Sequence, residues 1–275
     1  MGIEIKGIIP AMVTPLDKNG DVDEQDLRDL TRYLIESGVN GLFPLGSAGE
    51  GPKLNQRERK KVIKVVMDEA NDKVPVIPGA GGITTRDTIE IVKDAKDLGA
   101  LAVVINPPWY FPPTDDALLK HYETVSEKTD FPLILYNIPS MVGYRIGPDL
   151  MARAAKVENV IGIKDSSGEM LNYQLMVAKT PESFNVIQGY GLLFLPSLIV
   201  GGKATMSGEA NIAPKLLVEI YQSYQEGDLK RAKELNHKFI QLTPILGYGT
   251  FPVAIKEAMG MLGLPGGYAR APTAP

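Results

Sequence analysis

Residues 132–137 read PLILYN and residues 160–164 read VIGIK, and each run is apolar along its length before closing on a polar residue. Strands that are apolar on both faces belong to parallel sheets covered by helices on each side. Working outward, the same signal recurs at Gly7–Thr14 (GIIPAMVT), Gly41–Gly46 (GLFPLG), Val74–Gly79 (VPVIPG) and Ala102–Asn106 (AVVIN). It recurs again at Asn185–Gly189 (NVIQG) and Lys203–Ser207 (KATMS). Helical patterns lie between these runs. Asp26–Ser37 puts Leu27, Leu30, Leu34 and Ile35 on one face, and Arg86–Leu98 does the same with Ile91, Val92, Ala95 and Leu98. Gly38 and Gly99 stand where those helices should stop.

Eight strand–helix units in 275 residues predict a (β/α)8 TIM barrel. An open doubly wound sheet is the alternative, but Thr14-Pro15-Leu16 after the first strand is not a Gly-rich phosphate turn. Helical segments near Leu216–Tyr224, Asp228–Leu242 and Pro252–Leu262 follow the last strand. The reading is one domain over residues 1–275, with the barrel in 1–225 and a C-terminal helical extension in 226–275.

Composition narrows the function. Apolar residues make up 44% and charged residues 23%, as in an ordinary globular chain. The net charge of −4 is spread along the chain, and no basic block or basic amphipathic helix points to nucleic acid or a lipid surface. No apolar run reaches membrane-helix length, and MGIEIKGIIP lacks the pattern of a signal peptide, so a cytoplasmic protein is expected. The absence of cysteine excludes disulfides, zinc–thiolate sites and thiol nucleophiles. His121 and His237, the two histidines, read as packing or surface residues rather than metal ligands.

A barrel of this kind carries its active site at the C-terminal ends of its strands. The polar residues there are Thr14, Ser47 beside Ala48, Tyr110, Tyr136 with Asn137, Lys164, Gly189 and Ser207. Lys164 projects from an apolar strand. An ammonium withdrawn from water loses solvation, which favours the neutral amine that attacks a ketone to form a Schiff base. The plainer reading is a lysine that reaches solvent or pairs with Asp165. Tyr136 could pass protons, given a partner in reach. The plainer reading there is a core tyrosine with a wet tip. Gly46-Ser47-Ala48-Gly49-Glu50 is a turn of small residues whose free N–H groups suit a carboxylate.

Three segments together resemble the dihydrodipicolinate synthase / N-acetylneuraminate lyase superfamily of pyruvate-dependent class I aldolases: GLFPLGSAGEGPKL (41–54), YNIPS (136–140) with Gly143, and GIKDSSG (162–168). The opening GIIPAMVTPLDKNGDVD and the closing AIKEAMGMLGLPGGYARAPTAP extend the resemblance over the whole chain. The resemblance implies a (β/α)8 barrel, a homotetramer built as a dimer of dimers, and chemistry without metal or cofactor. It implies that Lys164 captures pyruvate, that Tyr136 shuttles protons, and that Ser47 binds the pyruvyl carboxylate and links two tyrosines. Ala48 would contribute only its N–H. Tyr110, or Trp109 in its place, would be lent to a neighbouring subunit's site, and Gly189 and Met206 would line the pyruvate pocket.

Departures from the family pattern bear on the second substrate. Dihydrodipicolinate synthases of this family carry an arginine where this chain has Met141, and a thioether cannot pair with a carboxylate. Arg145 is the nearby substitute. No lysine-feedback site is expected, since Gln56, Arg59 and Ile83 occupy positions that are histidine or asparagine in regulated members. Gly191, Leu192 and Leu193 stand where sialic-acid lyases carry acidic residues. An apolar aldehyde pocket near Met141 and Leu192 follows. The first expectation is therefore a lyase that cleaves a 2-keto-3-deoxygluconate-like or 4-hydroxy-2-oxo acid to pyruvate and an aldehyde. The alternative is a 4-hydroxy-tetrahydrodipicolinate synthase that condenses pyruvate with aspartate semialdehyde. A non-catalytic pyruvate sensor is a third reading, and a phosphate-handling barrel rests only on Gly201-Gly202.

Overall fold

The computed structural model describes residues 3–273. The chain runs β1 (Gly7–Pro10), α1 (Glu24–Glu36), α2 (Gln56–Ala70), α3 (Thr85–Asp97), β2 (Val103–Ile105) and α4 (Asp115–Thr129). It continues through β3 (Leu133–Asn137), the short α5 (Pro139–Val142), α6 (Pro148–Ala154), β4 (Val160–Asp165) and α7 (Met170–Lys179). After β5 (Asn185–Gln188), α8 (Phe194–Ile199) and β6 (Ala204–Ser207) come α9 (Pro214–Gln225), α10 (Leu229–Phe239), α11 (Thr243–Leu246) and α12 (Val253–Met261). No helix among the described residues is long and apolar enough to cross a membrane.

The helices start where side chains can satisfy free N–H groups. Asp23, Thr84 and Thr114 cap α1, α3 and α4, and Asn55 with Glu58 forms a reciprocal capping box on α2. Leu27, Leu30 and Leu34 of α1 and Ile91, Val92 and Ala95 of α3 are buried, as their spacing requires.

All strands are parallel, in the order β1-β6-β5-β4-β3-β2. Two of the eight expected strands, at 41–46 and 74–79, are not laddered strands. They complete the ring through isolated bridges: Ala11 to Phe43, Leu42 to Val76, and Gly79 to Val104. The physical reason is proline. Pro44, Pro75 and Pro78 have no N–H to give, so only their carbonyls join, accepting from Gly79, Leu42 and Val104 at 2.9 Å each. The ring still closes into a (β/α)8 barrel, with helices outside.

Alternation along the strands divides the core into two layers. Leu133 and Leu135 face outward to the helices, in the large cluster that includes Ile8, Leu42, Val76, Val103 and Ile163. Ile134 and Tyr136 face inward, with Ile9, Phe43, Ile77, Val104, Ile187 and Met206. A register shift between Leu133 and Ile134 sets Tyr136 opposite Lys164 and Asn137 opposite Asp165.

Candidate active site

The register pairing of β3 and β4 brings together the two strand-end residues the sequence singles out. Lys164 Nζ donates to Tyr136 Oη at 3.0 Å, and both residues are buried. The ammonium also lies 4.7 Å from the centre of the Phe43 ring and 4.1 Å from that of Tyr136, within cation–π range. Ser166 Oγ reaches Tyr136 Oη at 3.5 Å. Lys164 is therefore neither a solvent-facing lysine nor the partner of Asp165. The Asp165 carboxylate turns the other way, accepting from Asn137 Nδ2 at 2.7 Å and Ser167 Oγ at 2.9 Å, while Asn137 Oδ1 accepts from Ile146 N–H. Burial pushes the Asp165 carboxyl above its ordinary value against the pull of those donors.

Lys164 and Tyr136 open into a cavity of about 230 Å³ whose wall includes Ser47, Ala48, Gly189, Met141 and Glu209. The Ser47–Ala48 turn is held on all sides. Leu45 and Glu50 both have left-handed φ angles, 63° and 53°. A Cβ on Gly51 or Gly79 would fall 2.0 or 2.3 Å from the Leu45 carbonyl oxygen, so both must be glycine. Thr14 Oγ1 donates to the Gly49 carbonyl at 2.6 Å. The N–H groups of Ser47 and Ala48 donate to no acceptor among the described residues, which leaves them available to an anion.

Beneath the turn lies an ion pair that sequence reading missed. Lys256 Nζ on α12 donates to Glu50 Oε1 at 2.8 Å, to the Thr14 carbonyl at 2.8 Å and to the Tyr268 carbonyl at 2.6 Å. Burial would raise the Glu50 carboxyl, but the hydrogen bond and charge of Lys256 hold it below the ordinary carboxylate value. Burial pushes Lys256 below the usual lysine value, with Glu50 opposing. Arg270 closes the same cluster, its N–H on Glu50 Oε2 at 3.0 Å and its guanidinium bidentate on Glu58. Residues 206 and 220 positions apart in the chain carry no local sequence signal of such contacts.

Glu209 is the second missed residue. It lies on the turn after β6, is 4% exposed, lines the Lys164 cavity and is pushed upward by burial. Its cue was present in the sequence: an acidic residue two positions past the end of a strand, at the active-site end.

Other expectations need correction. Met206 is fully buried in the inner core and does not line the cavity, because the wall beyond β6 is made by Gly208 and Glu209. Leu192 packs against the outer core rather than the cavity, and Tyr190 takes that part of the wall. Met141 does line the cavity. Arg145 does not. Its guanidinium bonds Glu169 and reaches Asn172 Oδ1 at 3.4 Å, so it does not replace the missing arginine. Tyr110 is 81% exposed with a φ of 76°, stacked edge-on against Phe111 at 4.9 Å and outside its own chain's cavity. Trp109 instead lines an adjoining outer chamber of about 240 Å³, which shares Ser47, Ile138, Met141 and Phe251 with the inner one. Of the positions compared with the feedback site, Gln56 bonds Asp94 at 2.8 Å and Ile83 is exposed.

Comparison with known proteins gives the same picture. The model of the dihydrodipicolinate synthetase family matches residues 4–275. The 4-hydroxy-tetrahydrodipicolinate synthase of Methanopyrus kandleri is 38% identical over 266 residues, 96% of this chain and 89% of that protein. The Archaeoglobus fulgidus synthase is 37% identical, with 97% and 91% covered. Among solved structures, dihydrodipicolinate synthase from Thermotoga maritima superposes with a TM-score of 0.95 at 35% identity, covering 98% of this chain and 93% of that one. A prophage protein of the same family from Escherichia coli, solved in complex with pyruvate, gives 0.95 at 30% identity, with 99% and 94% covered. With the barrel, the buried lysine–tyrosine pair and a family model matching nearly the whole chain, this protein belongs to the dihydrodipicolinate synthetase family.

Proposed function

We propose that this enzyme captures pyruvate as a Schiff base on Lys164 and joins it reversibly to an aldehyde. The observation that carries the proposal is the 3.0 Å contact between Lys164 Nζ and Tyr136 Oη at the wall of the cavity. The neutral amine adds to the pyruvate ketone, Tyr136 passes protons to and from the adding oxygen, and loss of water gives the imine. The protonated imine then withdraws electrons from the neighbouring carbon. That carbon becomes an enamine nucleophile toward an aldehyde or, in reverse, accepts the electrons of the breaking carbon–carbon bond. Ser47 Oγ with the Ser47 and Ala48 N–H groups takes the pyruvate carboxylate on fixed donors, with Gly189 presenting backbone at the wall. Tyr110, exposed at its loop, would complete the site of a neighbouring subunit in a homotetramer.

The relatives' names support the condensing reaction, with aspartate semialdehyde as the aldehyde and 4-hydroxy-tetrahydrodipicolinate as product. One observation favours the second reading, a lyase for 2-keto-3-deoxy sugar acids: the Met141 thioether stands at the wall where the family's arginine would pair with a carboxylate.

Borohydride trapping with pyruvate, read by intact mass and peptide mapping, tests the common step. The expected result is a reduced pyruvyl adduct on Lys164 that Lys164→Ala lacks. A folded protein that gives no adduct ends both readings. Turnover of aspartate semialdehyde with pyruvate, set beside cleavage of 2-keto-3-deoxygluconate, then decides between them.

A further inference from the structure

The outer chamber contains one cationic side chain among the described residues lining it, Lys53. Its Nζ donates to Glu50 Oε2 at 3.0 Å, to the Arg270 carbonyl at 3.1 Å and to Thr273 Oγ1. Glu50 and Thr273 line the same chamber, which places the ammonium at its wall. The side chain is about one-third exposed, unlike the buried Glu50 and Lys256.

Charge counting separates Lys53 from its neighbours. Lys256 already neutralises Glu50 inside the cluster, and Arg270 is matched by Glu58. The positive charge of Lys53 is left over. Two of its three acceptors, the Arg270 carbonyl and the Thr273 hydroxyl, are neutral. A carboxylate entering the chamber would exchange a neutral acceptor for an anionic one, turning an ammonium–carbonyl or ammonium–hydroxyl bond into an ion pair, which is stronger. The inner chamber offers no comparable cation for this purpose, since Lys164 is committed to pyruvate and Arg145 to Glu169.

We propose that Lys53 is the specificity-determining cation for the aldehyde substrate, taking over from the outer chamber the role that Met141 cannot fill. The substrate class it selects is an aldehyde bearing a carboxylate, delivered to the enamine through the opening the two chambers share at Ser47, Ile138, Met141 and Phe251. This rests on pyruvate capture at Lys164, and the test keeps the two apart.

The test compares Lys53→Met with the unmodified enzyme, using L-aspartate semialdehyde and the uncharged D-glyceraldehyde as acceptors. Borohydride trapping of pyruvate runs alongside as the control for the Lys164 step. The expected result is a KM for aspartate semialdehyde raised by about tenfold or more, with D-glyceraldehyde and pyruvate trapping little changed. Lys53→Arg, which keeps the charge, should restore most of the loss. In the unmodified enzyme, added salt should raise KM for the charged acceptor and not for the neutral one. Equal effects on both acceptors, no effect on either, or failure to turn over any carboxylate-bearing aldehyde would overturn the proposal even if pyruvate is trapped. Absence of trapping in the unmodified enzyme would instead overturn the Schiff-base reading.

Discussion

Lys256 Nζ sits 2.8 Å from Glu50 Oε1 with both side chains out of solvent, tying α12 to the turn that carries Ser47 and Ala48. Removing one member of a buried pair strands the other, at a cost of about 3–5 kcal/mol. Lys256→Met should therefore lower the urea midpoint markedly. Because the turn loses its anchor, pyruvate should be needed at higher concentration for half-maximal borohydride trapping. A variant with unchanged midpoint and trapping would show that the pair anchors nothing.

Tyr136→Phe keeps the ring against Phe43, whose centroid is 6.4 Å away, and deletes only the hydroxyl. Turnover should fall by about 10²–10⁴-fold, the usual worth of a positioned proton-transfer group. Trapping should slow but still map to Lys164. Full turnover in this variant would remove Tyr136 from the mechanism.

Met141 is half exposed at the cavity wall, so Met141→Arg can be made without burying charge. A second cation facing the acceptor should lower KM for aspartate semialdehyde and leave that for D-glyceraldehyde unchanged. Steady-state kinetics with both aldehydes give the answer directly.

Tyr110 and Phe111 form an exposed aromatic pair. If Tyr110 completes a neighbour's site, Tyr110→Phe should lower kcat while leaving the oligomer seen by sedimentation intact. Mixing it with Lys164→Ala should restore part of the activity when subunits exchange. No recovery in the mixture would place Tyr110 outside the partner's site.

His121 is buried, its Nδ1 on Thr85 Oγ1 at 2.9 Å and its Nε2 without a partner, and burial lowers its pKa to about 4. The unfolded chain binds a proton near its ordinary value of about 6.5, above the folded value. The neutral imidazole's contribution is therefore complete above that pH and is lost as pH falls through 6.5 toward 4. The difference amounts to about 3 kcal/mol. Asp165 and Glu209, both raised by burial, act in the opposite sense. The test is thus the difference between the unmodified protein and His121→Leu in urea unfolding from pH 7 to 4. A difference that does not vary with pH would refute it.

The barrel was legible because PLILYN and VIGIK are apolar on both faces, as in a sheet covered on both sides, and because eight such runs alternate with helical patterns. Lys164 and Tyr136 were legible as the polar ends of those runs. Their mutual contact was not, since it depends on the register shift at Leu133/Ile134 that slides β3 along β4. The prolines at 44, 75 and 78 were visible, but reading their runs as full strands overlooked the missing N–H groups. The family resemblance puts Met206 in the pocket, whereas alternation turns it into the inner core below the cavity. The cluster of Lys53, Glu50, Lys256 and Arg270 joins parts of the chain about two hundred residues apart, and no local pattern encodes it.

The thin pairing at residues 41–46 and 74–80 also divides the ring by local stability. From β2 through β3, β4, β5 and β6 to β1, each strand is laddered to its neighbours, whereas the remaining arc is closed by isolated bridges whose joints keep backbone hydrogen bonds but lack the N–H groups of Pro44, Pro75 and Pro78. Amide deuterium exchange reports such differences, because openings that break few hydrogen bonds cost least. Lys164 and Tyr136 lie on the laddered arc, where exchange should be slower, and the Ser47–Ala48 turn hangs from the arc of isolated bridges, where it should be faster. On that expectation the barrel sets Lys164, proposed to bond pyruvate, on laddered strands, and sets the turn proposed to take the pyruvate carboxylate on the segment whose pairing proline interrupts.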